Sequence, residues 1–195
     1  MKKQAKIVLL LSLLLACAGV CFPQEQVQVL PPNPKFKHKR EIKQIYDQAS
    51  DQTRILLERM NIHGASTAGI EHVLGIDMAA LFTFPGKTVS PPQEVKLGFF
   101  LLTTIAAGKY QLTVKADDEV LLKDSYPITS KQNYGRDTFS KRSQYLIDFE
   151  ALIPYEKFQR MVNAKKVKIK VSGIDTDLSK EDMESLRDFA SRMQP

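Results

Sequence analysis

Apolar and polar positions divide the chain into a leader, an irregular stretch and a long patterned body. The first apolar run, Ile7 to Leu15, is broken only by Ser12. It follows Lys2, Lys3 and Lys6 and closes on Ala16-Cys17-Ala18-Gly19. A positive start, an apolar centre and small residues after it form the layout of a secretory leader. Even extended to Phe22, the run falls short of the ~18–20 residues of a spanning helix, so it predicts an export signal over 1–22. Residues 23–39 are first Pro- and Gln-rich and then basic, with no usable period, which predicts an extended tether.

Residues 40–195 are read as one domain. Ile42, Ile45/Tyr46, Ala49, Thr53, Leu56/Leu57 and Met60 recur every three or four positions, which predicts a helix over 40–60. Asn61 and Gly64 give it a stop. Gly64, Gly69 and Gly75 leave a short helix or a turn-rich connection open for 61–76. From Asp77 the period shortens. Met78–Phe84 is apolar, and Val95–Thr104 is apolar at both parities, the pattern of a central strand covered on both faces. Tyr110–Ala116 alternates and meets Glu119–Lys123 through a tight turn at Asp117-Asp118. Thr129–Arg142 reads as a polar loop, and Tyr145–Ala151 alternates again. Pro154 opens a helix with Tyr155, Phe158 and Met161/Val162 on one face. Lys166–Val171 alternates strictly, Gly173–Asp177 turns, and Ser179 caps a last helix carrying Met183, Leu186, Phe189/Ala190 and Met193. The expected fold is α+β. An antiparallel, sandwich-like body of about six or seven strands is joined by an N-terminal helix, a helix between late strands and a C-terminal helix.

Charge and cysteine content change this picture in two ways. The chain has 28 Lys+Arg against 22 Asp+Glu, a formal net charge of +6. Half of that excess is Lys2, Lys3 and Lys6, so the body is only mildly basic and its composition is no evidence for nucleic acid. Both cysteines, Cys17 and Cys21, fall in the leader, so the body has no disulfide framework and no cysteine metal site. Leu14-Leu15-Ala16-Cys17 resembles the lipobox of bacterial lipoproteins, which makes Cys17 the candidate lipid attachment. Ala16-Cys17-Ala18 competes as an ordinary cleavage site.

The remaining chemistry is sparse. Gly64-Ala65-Ser66-Thr67-Ala68-Gly69, near His63, lacks the second glycine of a nucleophile elbow. His38, His63 and His72 have no zinc-binding spacing. Asp175-Thr176-Asp177 starts like a calcium loop but has Lys180 and Leu186 where that loop needs Gly and Glu. No phosphate loop or dinucleotide fingerprint occurs. Three basic features remain. Lys35, Lys37, Lys39 and Arg40 are placed to contact an anionic membrane surface beside an acylated Cys17. The loop residues Lys131, Tyr134, Arg136, Phe139, Lys141 and Arg142 interleave cations with aromatics, as phosphate and polysaccharide contacts do. Lys166, Lys168 and Lys170 line one strand face, as an anionic-polymer contact, a guarded edge or partners of Asp148 and Glu150.

Ile153-Pro154-Tyr155-Glu156-Lys157-Phe158, Asn163-Ala164-Lys165-Lys166-Val167, Leu178-Ser179 and Leu186-Arg187-Asp188-Phe189-Ala190 follow one another in an order that resembles a group of bacterial exported proteins of unknown function. The resemblance spans residues 92–193. It implies a β-rich body ending in helix, strand, return and helix, and brings no activity. The expected protein is an envelope protein without catalysis, cofactor, metal or nucleic acid. It is periplasmic or on the outer surface, lipid-anchored through Cys17 or secreted, and binds or scaffolds an envelope protein or an anionic polymer. Two alternatives are a periplasmic or secreted enzyme with a site assembled from scattered residues, and an accessory subunit of an envelope complex docking through the 40–60 helix.

Overall fold

The computed structural model describes residues 25–64, 73–136 and 142–194. Ten strands form one antiparallel sheet: β1 (Gln26–Leu30), β2 (Ile42–Asp47), β3 (Gln52–His63), β4 (Val73–Pro85), β5 (Glu94–Thr103), β6 (Lys109–Ala116), β7 (Glu119–Arg136), β8 (Ser143–Pro154), β9 (Val167–Val171) and β10 (Ile174–Asp177). Two helices, α1 (Tyr155–Asn163) and α2 (Lys180–Ser191), lie near the C-terminus. The order across the sheet is β1-β2-β3-β4-β5-β8-β7-β6-β9-β10. β7 serves two neighbours, pairing β6 up to Pro127 and β8 from Ile128 onward. The sheet curls until the Thr176 hydroxyl on β10 donates to the Ile62 carbonyl on β3 at 2.6 Å.

This architecture corrects the expected one. A ten-stranded open sheet replaces a sandwich of six or seven strands, and no helix occupies 40–60. The misread segment is the β2–β3 hairpin. Its turn is built by Asp47, whose carboxylate accepts from the Ala49 N–H at 2.9 Å and the Ser50 hydroxyl at 2.7 Å, and by Asp51 at φ 49°. Along β3, Thr53, Ile55 and Leu57 point inward at the strand period of two. One extra residue then enters the register between Leu57 and Met60, so the inward series resumes at Met60 after a step of three. The β-bulge thus accounts for the last step of the helix-like spacing, and the earlier steps run through β2, the turn and the start of β3. The idea of docking through a 40–60 helix loses its element.

The inner face of the sheet holds the core. One row crosses Met60, Met78, Phe99, Phe149 and Ile128 on five adjacent strands. The Phe99 and Phe149 rings stack at 5.0 Å between centroids. α1 brings Phe158, Met161 and Val162 to this face, and α2 brings Met183, Leu186 and Phe189. Phe189 meets Phe82 and Phe158 edge-on at 5.4 Å and 6.0 Å, tying α2 to sheet and helix together. Ser179 starts α2 with a reciprocal capping box to Asp182. On the outer face no second layer of described residues covers β5. Phe100 and Leu102 are half-buried there, and the Arg59 guanidinium lies 3.5 Å from the Phe100 ring centroid.

Candidate functional site

Strand alternation sends apolar residues of β6 and β9 to the core and their polar residues outward. The pairing brings the outward residues together. Lys115 faces Lys168, and Thr113 faces Lys170 on β9 and Lys123 on β7. Neighbouring strands lie ~4.8 Å apart and alternate residues ~6.8 Å apart along a strand, so four lysine positions surround Thr113 within a backbone patch about 10 Å wide. Lys170 is 3.5 Å from Asp175 on β10, and among the described residues Lys115, Lys123 and Lys168 have no acidic partner within 4 Å. A cleft of about 350 Å³ opens between Gln111, Lys123, Lys170 and Ser172, and an adjoining cleft of about 170 Å³ lies over Lys115 and Lys168. Its rim is the β9–β10 turn, with Ser172 at φ 47° and Gly173 at φ 102° and the Ser172 N–H donating to Gln111 O at 2.8 Å.

The row Lys166, Lys168, Lys170 therefore belongs to a wider surface. Its acidic neighbours are on β10, where Asp177 pairs with Lys166 at 3.0 Å and Asp175 with Lys170. They are not Asp148 and Glu150: β8 is not adjacent to β9, and Glu150 pairs with Lys96 at 2.8 Å. These ion pairs occupy the carboxylates of Asp175 and Asp177, which the sequence set at the start of a calcium-like loop.

The residues of the other two basic features are placed as follows. Lys131, Tyr134 and Arg136 stand on the exposed second half of β7, which is a strand paired with β8 instead of a loop. Lys131 Nζ lies 4.7 Å over the Tyr145 ring, Tyr134 is 61% exposed, and Arg142 is exposed just before β8. Phe139 and Lys141 lie outside the described residues, as do Cys17, Ser66 and His72. Residues 31–41 run as a strap along α2. Phe36 and His38 turn inward, and Lys35, Lys37 and Lys39 turn outward. Arg40 shares the inward parity and has its Nε buried, so it leaves the lysine row.

His38 is fully engaged. Its Nδ1 accepts the Arg40 N–H at 3.2 Å, which assigns the ring proton to Nε2, donated to Asp188 Oδ2 at 2.9 Å. Asp188 also accepts the Asn33 N–H at 3.1 Å and Arg192 Nε at 2.9 Å. Both side chains are fully buried, and with both ring nitrogens used the pair is a structural clasp and not an acid–base dyad. Sequence reading did not single out Asp188, because its partners His38 and Asn33 are 150 or more residues away in the chain. Lys115 and Lys123 were missed for the same reason: pairing order, not local pattern, unites them with β9.

Among the described residues, no helix is long and apolar enough to cross a membrane. Comparison with protein-family models, with curated proteins and with solved structures finds no match.

Proposed function

We propose that this chain is an exported envelope domain that binds a linear polyanion on the outer face of β6, β7 and β9, without catalysis. The observation that carries this reading is the set of four lysines around Thr113, three of them without an acidic partner among the described residues. Such a face attracts negative charge, and a polymer with repeated charges engages several cations at once. Thr113, Gln111 and Ser172 add neutral hydrogen-bonding groups beside them. The surface offers charge and donors in open clefts. That suits binding of phosphate or carboxylate groups better than enclosure of a reacting centre.

The test is binding of inorganic polyphosphate and of polygalacturonate to the chain, followed over a salt series. Affinity is expected to fall with salt, and Lys115→Gln/Lys168→Gln/Lys170→Gln is expected to weaken it at least about tenfold, the equivalent of ~1.4 kcal/mol. Equal affinity of parent and variant sinks the proposal. The envelope location rests on the leader and is tested separately, by the intact mass of the protein from its native host. Diacylglycerol on Cys17 is the expected result, and an unmodified chain beginning at Gly19 excludes the anchor.

A further inference from the structure

We infer that the strap over α2 is a second interaction surface, which rests on the anionic headgroups of a phospholipid bilayer. The inference takes its location from the leader reading above, and its chemistry stands on the strap itself. Its backbone is held in place by the Asn33 and His38 bonds to Asp188 and by the Lys37 N–H donating to Glu184 at 3.3 Å. With Phe36 and His38 turned inward, Lys35, Lys37 and Lys39 project together from a fixed, extended segment. Lys180 at the start of α2 joins Lys37 and Lys39 around an open cleft of about 550 Å³. Among the described residues none of these four lysines has an ion-pair partner within 4 Å. Glu181 shares the cleft, while Glu184 is committed to Arg187 at 3.0 Å. The surface therefore keeps an excess of positive charge.

The length of chain between this surface and the leader supports a bilayer as its occupant. The sheet already includes Gln26 to Leu30, so only Ala18 to Gln24 separate Cys17 from Glu25, the first described residue. Eight peptide steps reach at most ~28 Å. An acylated Cys17 would hold the domain within that distance of the membrane, where each lysine gains from the anionic surface. A lipid chain together with a basic patch is also the combination that gives stable anchoring where one chain alone does not. The strap lies on the helix side of the sheet and the lysines around Thr113 on its outer side. A domain resting on its strap leaves the proposed polyanion face exposed.

The experiment is cosedimentation of the leader-processed, unacylated chain with vesicles of phosphatidylcholine alone or mixed with phosphatidylglycerol. Binding is expected only to the anionic vesicles and is expected to be lost at high salt. Lys35→Gln/Lys37→Gln/Lys39→Gln should weaken it about a hundredfold, roughly fivefold per charge. These side chains are exposed, so the variant should keep the parent's thermal unfolding. Lys115→Gln/Lys168→Gln/Lys170→Gln should bind vesicles as the parent does, which separates this surface from the one proposed above. Equal binding by the strap variant, salt-insensitive binding, no preference for phosphatidylglycerol, or loss confined to the sheet variant would each overturn the inference.

Discussion

Asp188 shows how much one side chain can hold when it is removed from water. A buried carboxylate is tolerated only with charge-matched, hydrogen-bonding partners, and here His38, Arg192 and the Asn33 N–H supply them. Asp188→Ala leaves His38 and Arg192 without that partner. The expected loss is about 3–5 kcal/mol in chemical denaturation, with Asp188→Asn recovering part of it. Asp148 behaves differently. It lies half-buried on the outer face opposite Phe100, and desolvation raises its pKa above the usual 3.8, while the Arg59 charge works against the shift. Between 3.8 and its raised native value, the native state binds the proton more tightly than the unfolded chain does. Stability therefore falls as pH rises through that window. Asp148→Asn should remove this dependence, read as urea midpoints against pH for both proteins; parallel curves would show that the shift has another source. Neither role was legible in the sequence, because burial of an acid is set by partners the local pattern does not name. Ser179 was legible, because a cap acts within three residues.

At the scale of elements, β4, β5, β9 and both helices could be read, while β2, β3, the second half of β7 and β10 could not. Lys166–Val171 alternates without interruption and is a strand; Pro154 and Ser179 begin helices by local stereochemistry. β3 fails that reading because its bulge breaks the period of two with a step of three between Leu57 and Met60. The bulge also makes a prediction. Arg59 is an exposed extra residue, and deleting it regularises the strand with Leu57 and Met60 both still inward. The expected cost is about 1 kcal/mol, from the lost contact with Phe100. Deleting Leu56 instead puts Ile55 and Leu57 on opposite faces. A loss of roughly 3 kcal/mol or more is expected, as for the removal of a core side chain. Thermal unfolding followed by circular dichroism distinguishes the two; equal losses would mean that the bulge has a structural role of its own.

For the whole molecule, the decisive information is the order of strands. Successive hairpins build β1 to β5, but β8 then returns to pair β5, and β9 skips back to β6. These long-range pairings follow from no turn or period. They separate the lysines of β9 from the acids of β8 and place them beside Lys115 and Lys123. The same topology sets the strap and the lysines around Thr113 on opposite sides of the sheet. The clasp of the strap onto α2 also bears on the order of folding events. Asn33 and Asp188 are 155 positions apart, so the first part of the domain is secured by almost the last. As the chain is made from its N-terminus, the early hairpins have their pairing partners long before α2 emerges. Residues 31–41 lack their anchor until Asp188 has been made, so a chain that stops short of it leaves its lysine strap loose.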